Sequence, residues 1–325
     1  MVWSALYAIS SSGTSVFPPA RQNGSIRSAH TRNISDYISV CAVVPNKEKP
    51  KFMTDLQEKQ FEMLQAVDKV CEHLSIRYYL VCGSALGAVK YKGFIPWDDD
   101  LDIGMLRPDY EAFIENAQEL LPKDYFLQNY RTDPAFPQVF SKVRDSGTTF
   151  IEKSSAKLPI NHGVYIDVFP LDGYPHSKGK MVRLEVLKKL YTLNAACAFQ
   201  LPCNRSTRLF FGIERLLGFH RHTQQIMRKY EHLIASYPIT GSRVLCNHGN
   251  WQGKLEYAPR EQYGDGVWSV FEGMPVRIPA QYDAYLTQKY GNWRADLPQE
   301  QQVGHHYAEV IDLDLPYTVY TKQVR

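Results

Sequence analysis

The sequence has no long hydrophobic run. Among its 325 residues no apolar stretch approaches the ~20 residues that a bilayer-crossing helix requires, which argues against a membrane-spanning enzyme. The chain also lacks the polar composition of a disordered protein, because 44% of its residues are hydrophobic and 22% are charged. We therefore expect a globular protein with a large core.

Cysteines are few and scattered. The six cysteines include no C-x-x-C pair, so we expect free thiols in a reducing compartment and a cytoplasmic location. The nearest approach to a zinc signature is His220-x-His222 followed by Cys246-x-His248. Because this spacing matches no common structural zinc site, we interpret these residues as surface and core positions.

The formal net charge of +3 comes from residues 1–50. The rest of the chain is balanced and lacks the basic field that a nucleic-acid partner would require. Residues 1–52 are rich in Ser, Gly, Asn and Arg without a clear apolar period, and we predict a disordered leader there. We predict a single catalytic domain over 53–325, with a helical, basic insertion at about 176–250.

The periodicity of apolar residues beyond Thr54 predicts both helices and strands. Thr54 is a suitable N-cap for a helix that continues to about Ser75. Strand-type runs follow at 77–82, 101–104, 126–129, 139–144, 148–151 and 164–169, and helices are predicted at 85–91, after Pro108, over most of 178–237 and at 282–290. This order predicts an α+β fold with a mixed sheet.

Three acidic residues lie beside apolar residues of strand type. On one strand Asp100 and Asp102 would share a face about 7 Å apart and would repel unless a divalent cation neutralised them. Asp167 has similar apolar neighbours on another predicted strand. An acidic triplet such as 98–100 is by itself usually a solvated turn. Three inward acids nevertheless suit Mg²⁺ or Mn²⁺ held by carboxylates and substrate phosphate.

A Gly-Ser pair precedes these acids. Gly83-Ser84 follows the apolar run that ends at Cys82, and a turn there would expose backbone N–H groups to a phosphate. Gly-Ser alone is a weak signal, but a short helix and a loop connect it to the acidic strand. The combination indicates a site for a phosphorylated substrate and a metal ion.

The segment from Tyr79 to Gly104, YLVCGSALGAVKYKGFIPWDDDLDIG, resembles the LicD family, which is related to fukutin and the fukutin-related protein. Its block IPWDDDLDI is highly specific. The resemblance continues through motifs at 107–111, 140–145, 163–172, 271–273, 282–291 and 305–306, and it covers roughly residues 54–307. It implies a nucleotidyltransferase (polymerase β-like) core.

The resemblance also implies an activity. Members of the family transfer a phospho-alcohol such as phosphocholine from a CDP-linked donor, such as CDP-choline, onto a hydroxyl of a glycan or glycolipid in polysaccharide or lipopolysaccharide biosynthesis. Carried over to this chain, Asp100 and Asp102 would hold the metal ion against the donor diphosphate. Asp167 would be the third ligand or a base. Lys90 lies where many family members have arginine or histidine.

Other residues are candidates for substrate contact. Lys142 and Arg144 alternate on a predicted strand and could meet the diphosphate, although a solvated strand face explains them equally well. Trp97 could stack on a base or on a choline ammonium, but packing is the simpler interpretation. His305 and His306 could contact either substrate or form a surface pair. The predicted substrate-binding set is Gly83, Ser84, Lys90, Trp97, Lys142, Arg144, His305 and His306.

Two other functions are compatible with part of this pattern. A glycosyltransferase could use an Asp-x-Asp motif to bind a sugar nucleotide, but it would leave Gly83-Ser84 and Asp167 unexplained. A non-catalytic nucleotide- or glycan-binding descendant would not need three repelling carboxylates. The metal-dependent phospho-alcohol transferase is therefore the preferred hypothesis.

The region 176–250 suggests a further contact. It holds twelve Lys and Arg residues against three Glu, interleaved with apolar residues. Most of these apolar residues are expected to be core, with the basic ones on a solvated face. The excess of positive charge leads us to predict peripheral association with the inner face of a membrane through this region.

Overall fold

Local sequence signals account for the first helix, α1 (Asp55–Leu74). Thr54 caps it with a reciprocal pair of hydrogen bonds to Gln57, and Ser75 ends it in a left-handed conformation. The computed structural model describes residues 53–199, 223–250, 253–304 and 306–321. The predicted leader and His305 lie outside these described residues.

The remaining elements follow in chain order. They are β1 (Tyr78–Leu80), α2 (Cys82–Lys90), β2 (Asp102–Leu106), α3 (Arg107–Leu120), β3 (Tyr125–Gln128), β4 (Ser141–Asp145), β5 (Thr149–Glu152), β6 (Val164–Gly173), α4 (Lys178–Ala198), α5 (Thr223–Ala235), β7 (Val244–Cys246), β8 (Tyr257–Pro259), α6 (Arg260–Tyr263), β9 (Val267–Phe271), β10 (Met274–Ile278), α7 (Tyr282–Tyr290), β11 (Ala308–Asp312) and α8 (Thr318–Thr321). Short 3₁₀ helices cover Gly253–Glu256 and Gln299–Gln301.

Within the described residues, seven strands form a mixed sheet in the order β1-β2-β6-β4-β3, with β7 and β8 continuing from one end of β6. The pair β2–β6 is parallel and the other pairs are antiparallel. All ten residues of β6 are buried, as expected for a central strand covered on both faces. The predicted α+β class with a mixed sheet is confirmed.

Helices α1 and α3 cover one side of this sheet. Their buried side chains, such as Met63, Leu64 and Phe113, join Ile103 and Ile166 of the central strands in the largest hydrophobic cluster. A second cluster includes Phe140, Phe169 and Tyr285. The sheet is therefore held from both sides, which fixes the positions of β2 and β6.

The start of α2 differs from the predicted turn. The structure places Gly83 and Ser84 in the first turn of the helix, which begins at Cys82. Cys82 has φ of 51°, an uncommon conformation for a residue with a side chain, and it turns the chain directly from β1 into the helix. The strand is consequently shorter than the predicted run 77–82.

The segment 176–250 is helical in α4 and α5, and it also contributes β7 to the sheet. Its described helices pack on each other through Leu184, Tyr191 and Tyr230, and the rings of Tyr191 and Tyr230 are stacked 4.9 Å apart. Among the described residues, none of the helices combines the length and apolarity that crossing a membrane requires. The limits of the domain and of the insertion stay predictions.

Candidate active site

Two buried carboxylates lie side by side at the start of the parallel strand pair. Asp102 of β2 is in register with Asp167 of β6, and the two residues are 1% and 6% exposed. Neither side-chain oxygen of Asp102 has a hydrogen-bond partner. Burial raises the pKa of Asp102 well above its ordinary value, and the neighbouring charges of Asp100 and Asp167 raise it further. The pair is therefore electrostatically strained.

Asp100 completes the acidic group from just outside the strand. The prediction placed Asp100 and Asp102 on one strand, but β2 begins at Asp102. The Leu101 carbonyl still accepts a hydrogen bond from the Asp167 backbone, at 2.8 Å, which keeps this segment against β6. Asp100 is 5% exposed and lies against the cavities described below.

Buried glutamines of α1 hold the acidic turn 98–100. The Gln57 amide donates to the backbone carbonyls of Ile95 and Asp98, at 3.1 and 2.9 Å. The Gln60 amide donates to the carbonyl of Asp99 at 3.0 Å. Because these bonds satisfy backbone groups, the turn is fixed without using its carboxylates. Periodicity along the sequence indicates only that both glutamines lie on a helix, so this role was not predicted.

His306, in the C-terminal part of the chain, contacts the acidic turn through its ring. Its Nδ1 lies 3.0 Å from Asp99 Oδ1, and its Nε2 lies 3.6 Å from Asp100 Oδ2. Although burial disfavours the charged ring, the carboxylates of Asp100, Asp99 and Glu152 raise the pKa of His306 to about 10. His306 is thus a cation at neutral pH, in direct contact with the acidic centre.

Strand β4 brings two cations to the other side of Asp167. Lys142 Nζ lies 2.8 Å from Asp167 Oδ1. Arg144 is 1% exposed, and its guanidinium donates to the Gln128 side chain and the Gly163 carbonyl, both at 2.7 Å. Both of these acceptors are neutral groups. The two side chains share a face of the strand, as predicted, and that face is buried rather than solvated.

Glu152 was not predicted and lies among these cations. Burial alone would raise its pKa, but Lys142, His306 and Arg144 hold the pKa of Glu152 below its ordinary value. It accepts a hydrogen bond from Tyr165 at 3.2 Å. Its position at the end of β5, in an otherwise apolar run, is the signal that could have identified it.

Two cavities meet at Asp100 and His306. The smaller one, about 110 Å³, is lined by Asp100, Lys142, Arg144, Glu152, Asp167 and His306 together with phenylalanines. The larger one, about 300 Å³, is lined by Gly83, Lys90, Trp97, Asp98, Asp100, Trp293 and His306 among others. Asp100 and His306 are the residues common to both. Two molecules, one in each cavity, would therefore be in reach of the same carboxylate.

The predicted substrate residues divide between these cavities. Gly83, Lys90 and Trp97 line the larger one, whereas Lys142 and Arg144 line the smaller one. Lys90 is already paired with Asp296, at 2.9 Å. His306 borders both cavities, and His305 lies outside the described residues.

Ser84 contacts the acidic strand directly. Its Oγ accepts a hydrogen bond from the backbone N–H of Asp102 at 2.8 Å. A Cβ atom on Gly83 beside it would lie 2.9 Å from Asp98 Oδ2, so a side chain at this position would displace that carboxylate. Asp98, which was not among the predicted site residues, is thus held close to the first turn of α2, and burial raises its pKa well above the ordinary value.

The acidic centre suits a divalent cation that takes only some of its ligands from the protein. Among the described residues there is no group of three or more His, Cys, Asp or Glu side chains placed so that it could hold a metal ion. Mg²⁺, however, is commonly bound by one or two carboxylates while substrate phosphates and water supply the other ligands. The carboxylate oxygens of Asp102 have no hydrogen-bond partner and lie beside Asp167 and Asp100, so they are suitable ligands for such an ion.

The fold and site define an α+β protein with a buried acidic centre between two cavities. A family model described as the LicD/FKTN/FKRP nucleotidyltransferase domain matches residues 75–205. The chain is also 28% identical over 278 residues to the lipopolysaccharide cholinephosphotransferase LicD of Haemophilus influenzae, covering 78% of this chain and 97% of that protein. Residues 75–205 therefore match the LicD family model, and the predicted resemblance to this family is confirmed.

Shorter matches occur with two uncharacterized rickettsial proteins. A protein of Rickettsia typhi is 35% identical over 63 residues, which is 19% of each chain. A protein of Rickettsia prowazekii is 33% identical over 63 residues, covering 19% of this chain and 22% of that one. These matches are too short to add to the functional argument.

Proposed function

We propose that this protein is a LicD-type, metal-dependent phosphotransferase. It moves a phospho-alcohol, such as phosphocholine, from a CDP-linked donor onto a hydroxyl of a glycan. The reaction would belong to lipopolysaccharide or polysaccharide biosynthesis. The observation that carries the proposal is the in-register pair Asp102 and Asp167 beside Lys142. Asp167 lines the smaller cavity, and Asp100 lines both cavities. The name of the Haemophilus relative supports the same chemistry. We further propose that the sheet and α2 form a nucleotidyltransferase-type core.

Phosphoryl transfer requires positioned cations more than covalent chemistry from the protein. Lys142 and Arg144 supply buried positive charge on one side of Asp100, and His306 supplies it on another. These groups would stabilise charge on the donor phosphates. A divalent cation bound at Asp100, Asp102 and Asp167 would add Lewis acidity and neutralise the carboxylates.

The proposed reaction is a single displacement. The acceptor hydroxyl oxygen forms a bond to the phosphorus that carries the alcohol, and the bond from that phosphorus to the bridging oxygen breaks. CMP leaves with the bridging oxygen, and the hydroxyl proton passes to Asp167 or to solvent. In this scheme Trp97, in the larger cavity, would stack on the base or contact the choline ammonium.

The test is product analysis. The protein is incubated with Mg²⁺ and CDP-choline, other CDP-linked alcohols or sugar nucleotides, with a lipopolysaccharide acceptor, and the products are identified by mass spectrometry. We expect CMP and a phospho-alcohol ester, which D102N should not produce. Release of a nucleoside diphosphate from a sugar nucleotide would instead identify a glycosyltransferase, and binding without turnover would identify a non-catalytic protein.

A further inference from the structure

Helix α4 (Lys178–Ala198) has apolar side chains on both of its sides. One side packs on α5 (Thr223–Ala235) through Leu184 and Tyr191, which are at most 1% exposed. The opposite side carries Val182, Val186 and Leu190, which are 64%, 53% and 45% exposed. Packing inside the described part of the molecule explains only the first side.

The exposed apolar residues form one continuous row. Their spacing of four residues places Val182, Val186 and Leu190 along one side of a helix about 31 Å long. No other helix of the described ranges exposes three large apolar side chains in such a row. Single exposed apolar residues are normal on protein surfaces, but an aligned group of them marks an interaction surface.

Cations border the row. By the helical period, Lys178 and Lys189 lie on one side of it and Arg183 lies on the other, and all three are exposed. The exposed Glu185 is the one acidic residue of α4. An apolar strip between cations is the pattern of a helix that lies in the plane of an anionic lipid surface, with its apolar side in the headgroup region.

The positive charge beside the row favours an anionic lipid surface over two other partners, a second copy of the chain and residues 200–222. A second copy of the chain would bring its own Lys178, Arg183 and Lys189 against the same cations. Residues 200–222, which lie outside the described ranges, contain four arginines and one glutamate, so this segment would also add positive charge. Of these three candidates, only an anionic lipid surface would neutralise the cations.

The C-terminal end of α4 lies close to the acidic centre, which links docking of this helix to the candidate active site. Phe199, which follows the last residue of α4, lines the smaller cavity together with Asp100 and Asp167. The C-terminal end of α4 therefore borders the cavity that contains these acids.

We propose that α4 is a membrane-surface helix, whose exposed row of Val182, Val186 and Leu190 enters the headgroup region of an anionic bilayer while Lys178, Arg183 and Lys189 bind its headgroups. This docking does not depend on the transferred group. Its link to function, the presentation of a lipid-anchored acceptor to the smaller cavity, rests on the proposed transferase activity.

The experiment is co-sedimentation of the full chain with vesicles of phosphatidylcholine, alone or mixed with phosphatidylglycerol, at low and high salt. We expect binding to the anionic vesicles at low salt and release at high salt. Replacing the three cations with glutamine (K178Q, R183Q, K189Q) should weaken binding by about a hundredfold. Replacing the row (V182Q, V186Q, L190Q) should weaken it by about tenfold or more.

The control carries V270Q, I311Q and V319Q, which alter exposed apolar residues on other elements. It should bind as the wild type does, and circular dichroism should show all variants folded.

Absence of binding to anionic vesicles, or binding that neither α4 variant reduces, would overturn the proposal. So would a dimer that the α4 row variant converts to monomer, because a second copy would then cover this surface. Turnover with a water-soluble acceptor is measured separately, so that failure of docking and failure of the transferase proposal are distinguished.

Discussion

Ser84 and Asp102 are joined by a hydrogen bond in which the Asp102 backbone N–H donates to Ser84 Oγ at 2.8 Å. Both residues are buried, so the Gly-Ser motif and the acidic strand form one rigid unit. The serine of this motif therefore has a positioning role toward the acidic centre, in addition to any contact with phosphate.

Replacing Ser84 with alanine should cost about 1–3 kcal/mol of unfolding free energy, because it leaves a buried N–H without an acceptor. Displacement of Asp102 should also lower kcat more than it raises the KM for the donor. Urea denaturation and steady-state kinetics measure the two effects. The matched control is S269A, whose hydroxyl bonds the Ala88 carbonyl away from the acids. Equal kinetic losses in both variants would contradict the positioning role.

The two buried acids should respond differently to removal of their charge. D102N should reduce turnover at least about a thousandfold while leaving the protein equally or more stable, since Asp102 has repelling neighbours and no bonded partner. D167N should be equally inactive but less stable, because it leaves Lys142 buried without its carboxylate. Thermal melting and turnover test both, with the exposed D314N as control. A stabilised D167N would show that the Lys142 contact is unimportant.

Metal binding at this centre should be visible without any activity measurement. Mg²⁺ or Mn²⁺ should raise the melting temperature of the wild type, because a ligand of the native state stabilises it, and should have little effect on a D100N, D102N double variant. EDTA should abolish turnover, and added Mg²⁺ should restore it. Full activity after EDTA treatment, or an equal shift in the double variant, would exclude these acids as metal ligands.

His248 should make stability depend on pH. It is fully buried, and burial lowers its pKa to about 4, whereas the unfolded chain titrates near 6.5. Between these values the unfolded state binds the proton and the native state does not. The stabilisation is therefore complete above about pH 6.5 and is lost as the pH falls toward 4.

Urea denaturation from pH 7 to pH 4.5 should show a decrease in stability that is smaller in H248N. The exposed H176N, whose residue lies on the loop before α4, is the control and should follow the wild type. If H248N has the same pH profile as the wild type, then titration of other groups governs the acid sensitivity.

Local signals in the sequence predicted the elements well. The capping pair of Thr54 and Gln57 and the apolar periodicity behind it located α1, and the helix predicted at 282–290 has the observed bounds of α7. Strands β7 to β11 were not predicted, whereas the positions of β1 to β6 followed in the same way. These features depend on neighbours within one or two turns, which the sequence displays directly.

The assembly of the site depends on contacts between distant segments. Nothing local indicates that Asp102 pairs in parallel register with Asp167, or that glutamines of α1 hold the acidic turn. Nothing local indicates that Trp293 lines the same cavity as Trp97 either. Arg144 is a similar case, because alternation on a strand does not reveal whether a face meets solvent or a covered cavity. The candidate site residues could thus be named from the sequence, but their partners in the structure could not.

The parallel pairing of β2 with β6 has a consequence for how the protein acquires its activity. Parallel neighbours cannot be linked by a tight turn, so α3, β3, β4 and β5 intervene between them. Closing so long a loop is entropically costly and slow, whereas α1 and the β9–β10 hairpin can form from contacts nearby in the chain. During refolding, helical signal should consequently appear before the acidic pair comes together. Catalytic activity should then return only after this helical signal has appeared.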